Sequence, residues 1–175
     1  CSWINVAHLV CQTIPAARGA APHEPESPES PIIQESDGKK NPAPTFEDLL
    51  ASPYDEKLFD YYFPSQVAIV GLDGTVSKLG GKGIHSRLSV SPDGQFLIVS
   101  TLHRPYSYQV PMQRFPTLTE VWDKSGKVVR KIDETPLQES APRGFDAVEA
   151  GPRNVSWRAD AAATVQVQAP PPPPM

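Results

Sequence analysis

From residue 66 onward the chain sets apolar and polar positions in short runs separated by turn residues. "QVAIVGL" is followed by Asp73-Gly74 and then by "TVSKLG". An Asp-Gly pair between two strand-like runs predicts a hairpin, because the tight turn needs residues that accept a left-handed backbone. "RLSVSPDGQFLIVST" repeats the layout, and Ser91-Pro92-Asp93-Gly94 suits a type I turn. "TEVWDKSGKVVRKI" places a further turn at Lys124-Ser125-Gly126, and "RNVSWRADAAATVQVQ" another at Arg158-Ala159-Asp160. Upstream the period changes. Phe46, Leu49 and Leu50 fall at helical spacing behind Thr45, and Leu58, Tyr61 and Tyr62 fall at helical spacing behind Ser52-Pro53. A lead-in of short helices broken at Pro53 is expected over 45–65.

The hairpins around Asp93 and Asp160 are alike. Superposing these residues sets Leu88, Ser89 and Val90 on Val155, Ser156 and Trp157, and Ile98 on Val165. A recurring strand–turn–strand unit with "VWD" and "GK" between its copies predicts a mainly β chain, a partial β-propeller of about one to two blades over 66–168. A sandwich of similar hairpins is the alternative fold. Propellers close with about four to eight blades, so this length predicts a piece of a larger protein with exposed strand edges.

Composition adds the ends. The chain has 175 residues and 21 prolines. Many of these lie over 15–44, and an unbroken run spans 170–174. Residues 1–44 are therefore expected to be a disordered, atypical N-terminal segment, and 169–175 a proline tail. "WINVAHLVCQTIPAARGAA" lacks the basic start of a secretion signal, and Asn5 and His8 interrupt its apolar run. The absent initiating Met and the unusual ends read as truncation or frame-shifted translation. Cys1 and Cys11 have neither CxxC nor zinc-type spacing; a disulfide between them is the minority alternative, since nothing around them calls for a staple. The net charge of −4 gives no footprint for nucleic acid. No apolar run reaches the ~18 residues of a membrane span.

Three stretches carry a resemblance: "SPYDEKLFDYYFPSQVAIVGLDG" at 52–74, "LSVSPDGQFLIVSTLHRPYSYQVPMQRFPTLTEVWDKSGKVV" at 88–129, and "GPRNVSWRAD" at 151–160. Together they resemble the glutamyl endopeptidase branch of the prolyl oligopeptidase-type serine peptidases, over 44–164. "SPDG" alone is common among propellers. "HRPYSY", "RFP" and "VWD" followed by "WRAD" are the specific part. The resemblance implies an N-terminal propeller on a C-terminal α/β-hydrolase domain whose Ser-Asp-His triad cuts peptides after glutamate. The propeller would gate or orient the peptide substrate, and relatives of this kind are bacterial secreted or periplasmic proteins, or plastid ones. No G-x-S-x-G elbow occurs in the chain, so no catalytic residue carries over and the chain alone is expected to be inactive. The rival reading is a small propeller or WD-like protein-interaction module. A periplasmic scaffold, suggested by "SPDG" alone, is a third.

Candidate chemistry is sparse. His8, His23, His85 and His103 lack ligand spacing, so no metal is expected, and no cofactor. Ser86, Ser89 and Ser91 near His85 are read as solvent-face or turn residues. "GLDGTVSKLGGKG" fails the phosphate-loop pattern, and the Asn154 sequon falls in a strand. The proline tail lacks the flanking basic residue that orients polyproline ligands. Arg104 and Tyr106 remain as candidate substrate contacts, because arginine forks a carboxylate and a glutamate-specific peptidase must bind one. The competing role for Arg104, Tyr106 and Tyr108 is to brace a long connection that Pro105 and Pro111 keep extended.

Overall fold

The computed structural model describes residues 1–25, 46–139 and 152–168. Among these, strands β1 (Ser2–Asn5), β2 (His8–Thr13), β3 (Ser65–Gly71), β4 (Val76–Val90), β5 (Phe96–Leu102), β6 (Thr117–Asp123) and β7 (Val128–Thr135) form one antiparallel sheet in chain order. Strands β8 (Arg153–Trp157) and β9 (Val165–Gln168) form a separate hairpin. One helix, α1 (Pro53–Tyr62), precedes β3. The chain is thus mainly β, as its alternation predicts.

All four hairpins with turn signals from Asp73 onward are present. Three share a device: an Asp side chain accepts the backbone N–H two residues on, in Asp73 with Thr75 (3.0 Å), Asp93 with Gln95 (3.0 Å) and Asp123 with Ser125 (2.8 Å). Such Asx turns fix the reversal locally, and this is why the turns can be read from sequence. Ser91 is buried inside its turn, donating to Asp93 and accepting from the Phe96 N–H.

The long strand β4 is the seam of the sheet. Its first part pairs with β3, and from Ile84 onward it pairs with β5. The sheet curls at this seam, so that Val10, Val67 and Leu79 on one side meet Leu97, Val99 and Trp122 on the other in one buried cluster. The opposite face of β5 and β6 is apolar too. Ile98 and Val121 meet Val155 of β8, and the Trp157 indole N–H donates to the Ser89 carbonyl at 3.0 Å. Strand β5 is therefore covered on both faces, which explains its near-continuous apolar run.

Two expectations are corrected. Residues 2–13, expected within a disordered segment, form β1 and β2, and Cys1 and Cys11 are joined in a disulfide. Asn5 and His8, which seemed to break an apolar run, are the turn residues of this hairpin: the Asn5 Oδ1 accepts the Ala7 N–H and contacts the His8 Nδ1. The hairpin has no core alone; β2 gains one by pairing with β3, which lies far along the chain. Secondly, residues 46–50 are not helical, and α1 is the one helix of the lead-in among the described residues. Asp48 has a φ of 58°, which a right-handed helix excludes. The spacing of Phe46 and Leu50 instead serves packing onto the cluster around Phe59. The Ser52 side chain caps α1 by accepting the Asp55 N–H, with Pro53 at the first turn. The expected cap Thr45, the rest of the N-terminal segment over 26–44 and the tail 169–175 lie outside the described residues.

His85 sits at the seam, buried, with its ring edge-on to Trp122. Its Nδ1 meets the Thr101 hydroxyl at 3.0 Å and its Nε2 lies 3.4 Å from the Gly81 carbonyl. Burial holds its pKa below the usual 6.5. An unfolded chain then binds this proton more readily than the folded one, so stability rises with pH through this window. The expected result is a urea midpoint that is highest above the ordinary imidazole pKa and falls as pH drops through it, levelling off below the depressed folded value. His85→Gln should flatten that slope, while the hydrogen-bonded turn aspartates act only at lower pH. An unchanged slope in the variant would show that another group causes it.

Candidate functional site

The connection from β5 to β6, residues 103–116, folds back on α1 at one end of the sheet. Helical spacing puts Glu56 and Asp60 one turn apart on the same side of α1. Arg104 bridges them: its Nη1 donates to Glu56 Oε2, and its Nη2 donates to Asp60 Oδ2 at 2.6 Å. The remaining carboxylate oxygens are also engaged. The Tyr106 hydroxyl donates to Asp60 Oδ1 at 2.5 Å, and the Tyr108 hydroxyl to Glu56 Oε1 at 2.7 Å. Two acids, one guanidinium and two phenols thus form a closed network, in which charge-assisted bonds are the strong kind.

Its electrostatics follow from those contacts. Hydrogen bonds to Asp60 and then Glu56 raise the Arg104 pKa, so the guanidinium stays charged. Burial, and then the bond to Asp60, push the Tyr106 phenol well above its ordinary value. Burial, and then the bond to Glu56, push Tyr108 up to about 12. Both phenols are therefore neutral donors at physiological pH. Neither phenol is poised as a base or nucleophile here.

Apolar packing supports the network from below. Tyr106 stacks on Phe115 with ring centroids 5.3 Å apart and meets Phe59 edge-on at 5.0 Å. The Arg104 guanidinium lies over the Tyr106 ring, 4.6 Å from its centroid. Val110 is buried with Ile84, Leu102 and Phe115. The Arg104–Pro105 peptide bond is cis. A 3-10 turn at Met112–Arg114 leads into β6. The segment after β7 closes the far side, where the Gln138 N–H donates to the Arg114 carbonyl and the Ser107 hydroxyl donates to Glu139.

The structure brings the sequence-selected Arg104 and Tyr106 together, and adds Glu56 and Asp60, which sequence reasoning missed. Their signal was present as an acidic pair at i, i+4 on a capped helix, but nothing local says which cation it meets. Beside the network, Phe59, Phe63, Val110, Met112 and Phe115, together with Glu47 and Asp48, line a cavity of about 410 Å³. Among the described residues no cluster of His, Cys, Asp and Glu could hold a metal ion, and no helix is long and apolar enough to cross a membrane.

Comparison with known proteins gives a partial match. The chain is 42% identical over 164 residues, 93% of its length, to a protein of Arabidopsis thaliana named "Probable glutamyl endopeptidase, chloroplastic". It is 40% identical over 159 residues, 90% of its length, to a protein of the same name from Oryza sativa subsp. japonica. These names agree with the sequence resemblance. The matched spans are longer than 44–164, so they take in part of the N-terminal segment as well. The chain spans 17% of the length of each of these relatives. No family profile matches it, and no solved structure does.

Proposed function

We propose that the chain is a portion of the N-terminal β-propeller of a glutamyl endopeptidase-like serine peptidase, which gates or orients peptide substrate for a hydrolase domain that this chain does not contain. The observation that supports this most is the match to the two chloroplastic relatives over nearly all of this chain and a small share of theirs. The geometry is compatible. β4 from Ile84, with β5, β6 and β7, makes a four-stranded meander, and each face of its β5–β6 centre is covered, by β2–β3 and by β8. Radially stacked blades require such two-faced sheets.

Within this reading the network of Glu56, Asp60, Arg104, Tyr106 and Tyr108 braces the 103–116 connection as a rigid rim. It serves peptide handling by shape. A second reading, direct contact of Arg104 with an acidic substrate, draws on the half-exposed Arg104 side chain.

The test is a chimera of the full-length Arabidopsis relative carrying residues 46–139 of this chain in place of its matching segment. Cleavage of peptides after glutamate should be retained. A folded chimera that has lost cleavage, beside an active parent, would sink the proposal. Arg104→Ala in the chimera then separates the two roles. A brace predicts easier proteolytic nicking between 103 and 114 and an equal change in kcat/KM for all cleaved peptides. Selective loss for acidic peptides, with the rim intact, would establish the contact role.

A further inference from the structure

In the described N-terminal hairpin, β2 is held to the rest of the molecule by its ladder with β3, and β1 is held to β2. At its turn, the Leu72 N–H donates to the Ala7 carbonyl at 3.0 Å, tying β1–β2 to the β3–β4 turn. At its open end a disulfide between Cys1 and Cys11 fastens the start of β1 to β2, within the hairpin itself. Between these points β1 does more than extend the sheet. Ile4 packs on the cluster shared by both sides of the curl, and its carbonyl lies so close over Gly94 that an added Cβ there would stand 2.5 Å from it. Strand β1 thus crosses from the first part of the sheet to the Ser91–Gly94 turn of the second. It is also only four residues long and lies at the sheet edge, so little besides the disulfide secures its free end.

We propose that β1 is a redox-controlled strap: oxidised, it is fastened across the curl of the sheet; reduced, its first residues come away and uncover the edge of β2. Accessibility favours attack at one sulfur, because Cys1 is exposed while Cys11 is 5% exposed. The reductant is a dithiol. Its thiolate attacks the Cys1 sulfur and expels the Cys11 thiolate. Its second thiol then closes on the mixed disulfide and releases the Cys1 thiolate. Two electrons pass to the protein, both cysteines take up protons, and the dithiol leaves as its own disulfide. Reoxidation refastens the strap.

The experiment is residue-resolved amide hydrogen exchange on the full chain, air-oxidised and then treated with dithiothreitol, with thiols counted in each state. On reduction, protection at Ser2, and at Val10 paired with it, should fall by at least about tenfold, within what closing a short covalent loop contributes. The Leu72 amide, bonded at the turn, and the Ile98 and Val99 amides in the core should keep theirs. Cys1→Ser should reproduce the reduced pattern and ignore dithiothreitol. Unchanged protection at Ser2 and Val10 overturns the strap. So does loss of protection at Ile98 and Val99, which would make the disulfide a requirement of the whole fold. Two free thiols in the oxidised sample would remove its basis.

Discussion

Gly126→Ala is expected to be the most damaging glycine-to-alanine change among the described residues, lowering stability by ~3 kcal/mol or more, with part from the backbone and part from overpacking. Gly126 closes the β6–β7 turn with a φ of +80°. It also presses on the seam: a Cβ there would lie 2.2 Å from the Gly80 nitrogen and 2.9 Å from Leu79 backbone atoms. None of these is a side chain that can swing aside, so either the turn lifts or β4 moves. Total stabilities of about 5–15 kcal/mol leave little room for this. Gly74→Ala is the control. Gly74 has a φ of +86° but meets nothing within 4 Å, so it carries the backbone cost of about 1–2 kcal/mol alone. Urea melts of the two variants measure the difference. Equal losses would mean that the turn does not dock on the seam.

Phe59→Ala should cost ~3–5 kcal/mol, the range for emptying a buried aromatic site. Phe59 is 6% exposed and contacts Phe63, Tyr106 and Phe115. It is the apolar anchor by which α1 holds the 103–116 connection. Its loss should therefore register twice, as a lower melting temperature and as protease cleavage near Arg104 and Arg114. Phe63→Ala, at a side chain left 49% exposed, should do far less of either. If the two variants behave alike, the connection is held by its polar network rather than by the aromatic cluster.

These positions show what kind of information the sequence exposes. The turns at Asp73, Asp93 and Asp123 were legible because each is settled within a few residues by its own side chain. The helix start at Ser52 and Pro53 was legible for the same reason. Strand β2 was not, since its reason for existing lies at Gln66–Gly71, across the long segment that separates them. The partners of Arg104 were hidden likewise: both acids sit in plain helical spacing, but their distance from Arg104 is closed only by tertiary folding. Residues 46–50 misled in the opposite way. Their apolar spacing fits a helix, yet the left-handed Asp48 breaks it and packing alone uses the apolar side chains.

The two-sided cover of β5 has a consequence for synthesis. One face of this strand is buried by residues that precede it and the other by β8, which follows only after β6, β7 and a further connection. As the chain emerges from a ribosome, Ile98 and Val121 must wait uncovered until Val155 arrives. A pause or release in that interval would leave an apolar strand pair open to its neighbours, the kind of surface through which partly made chains associate.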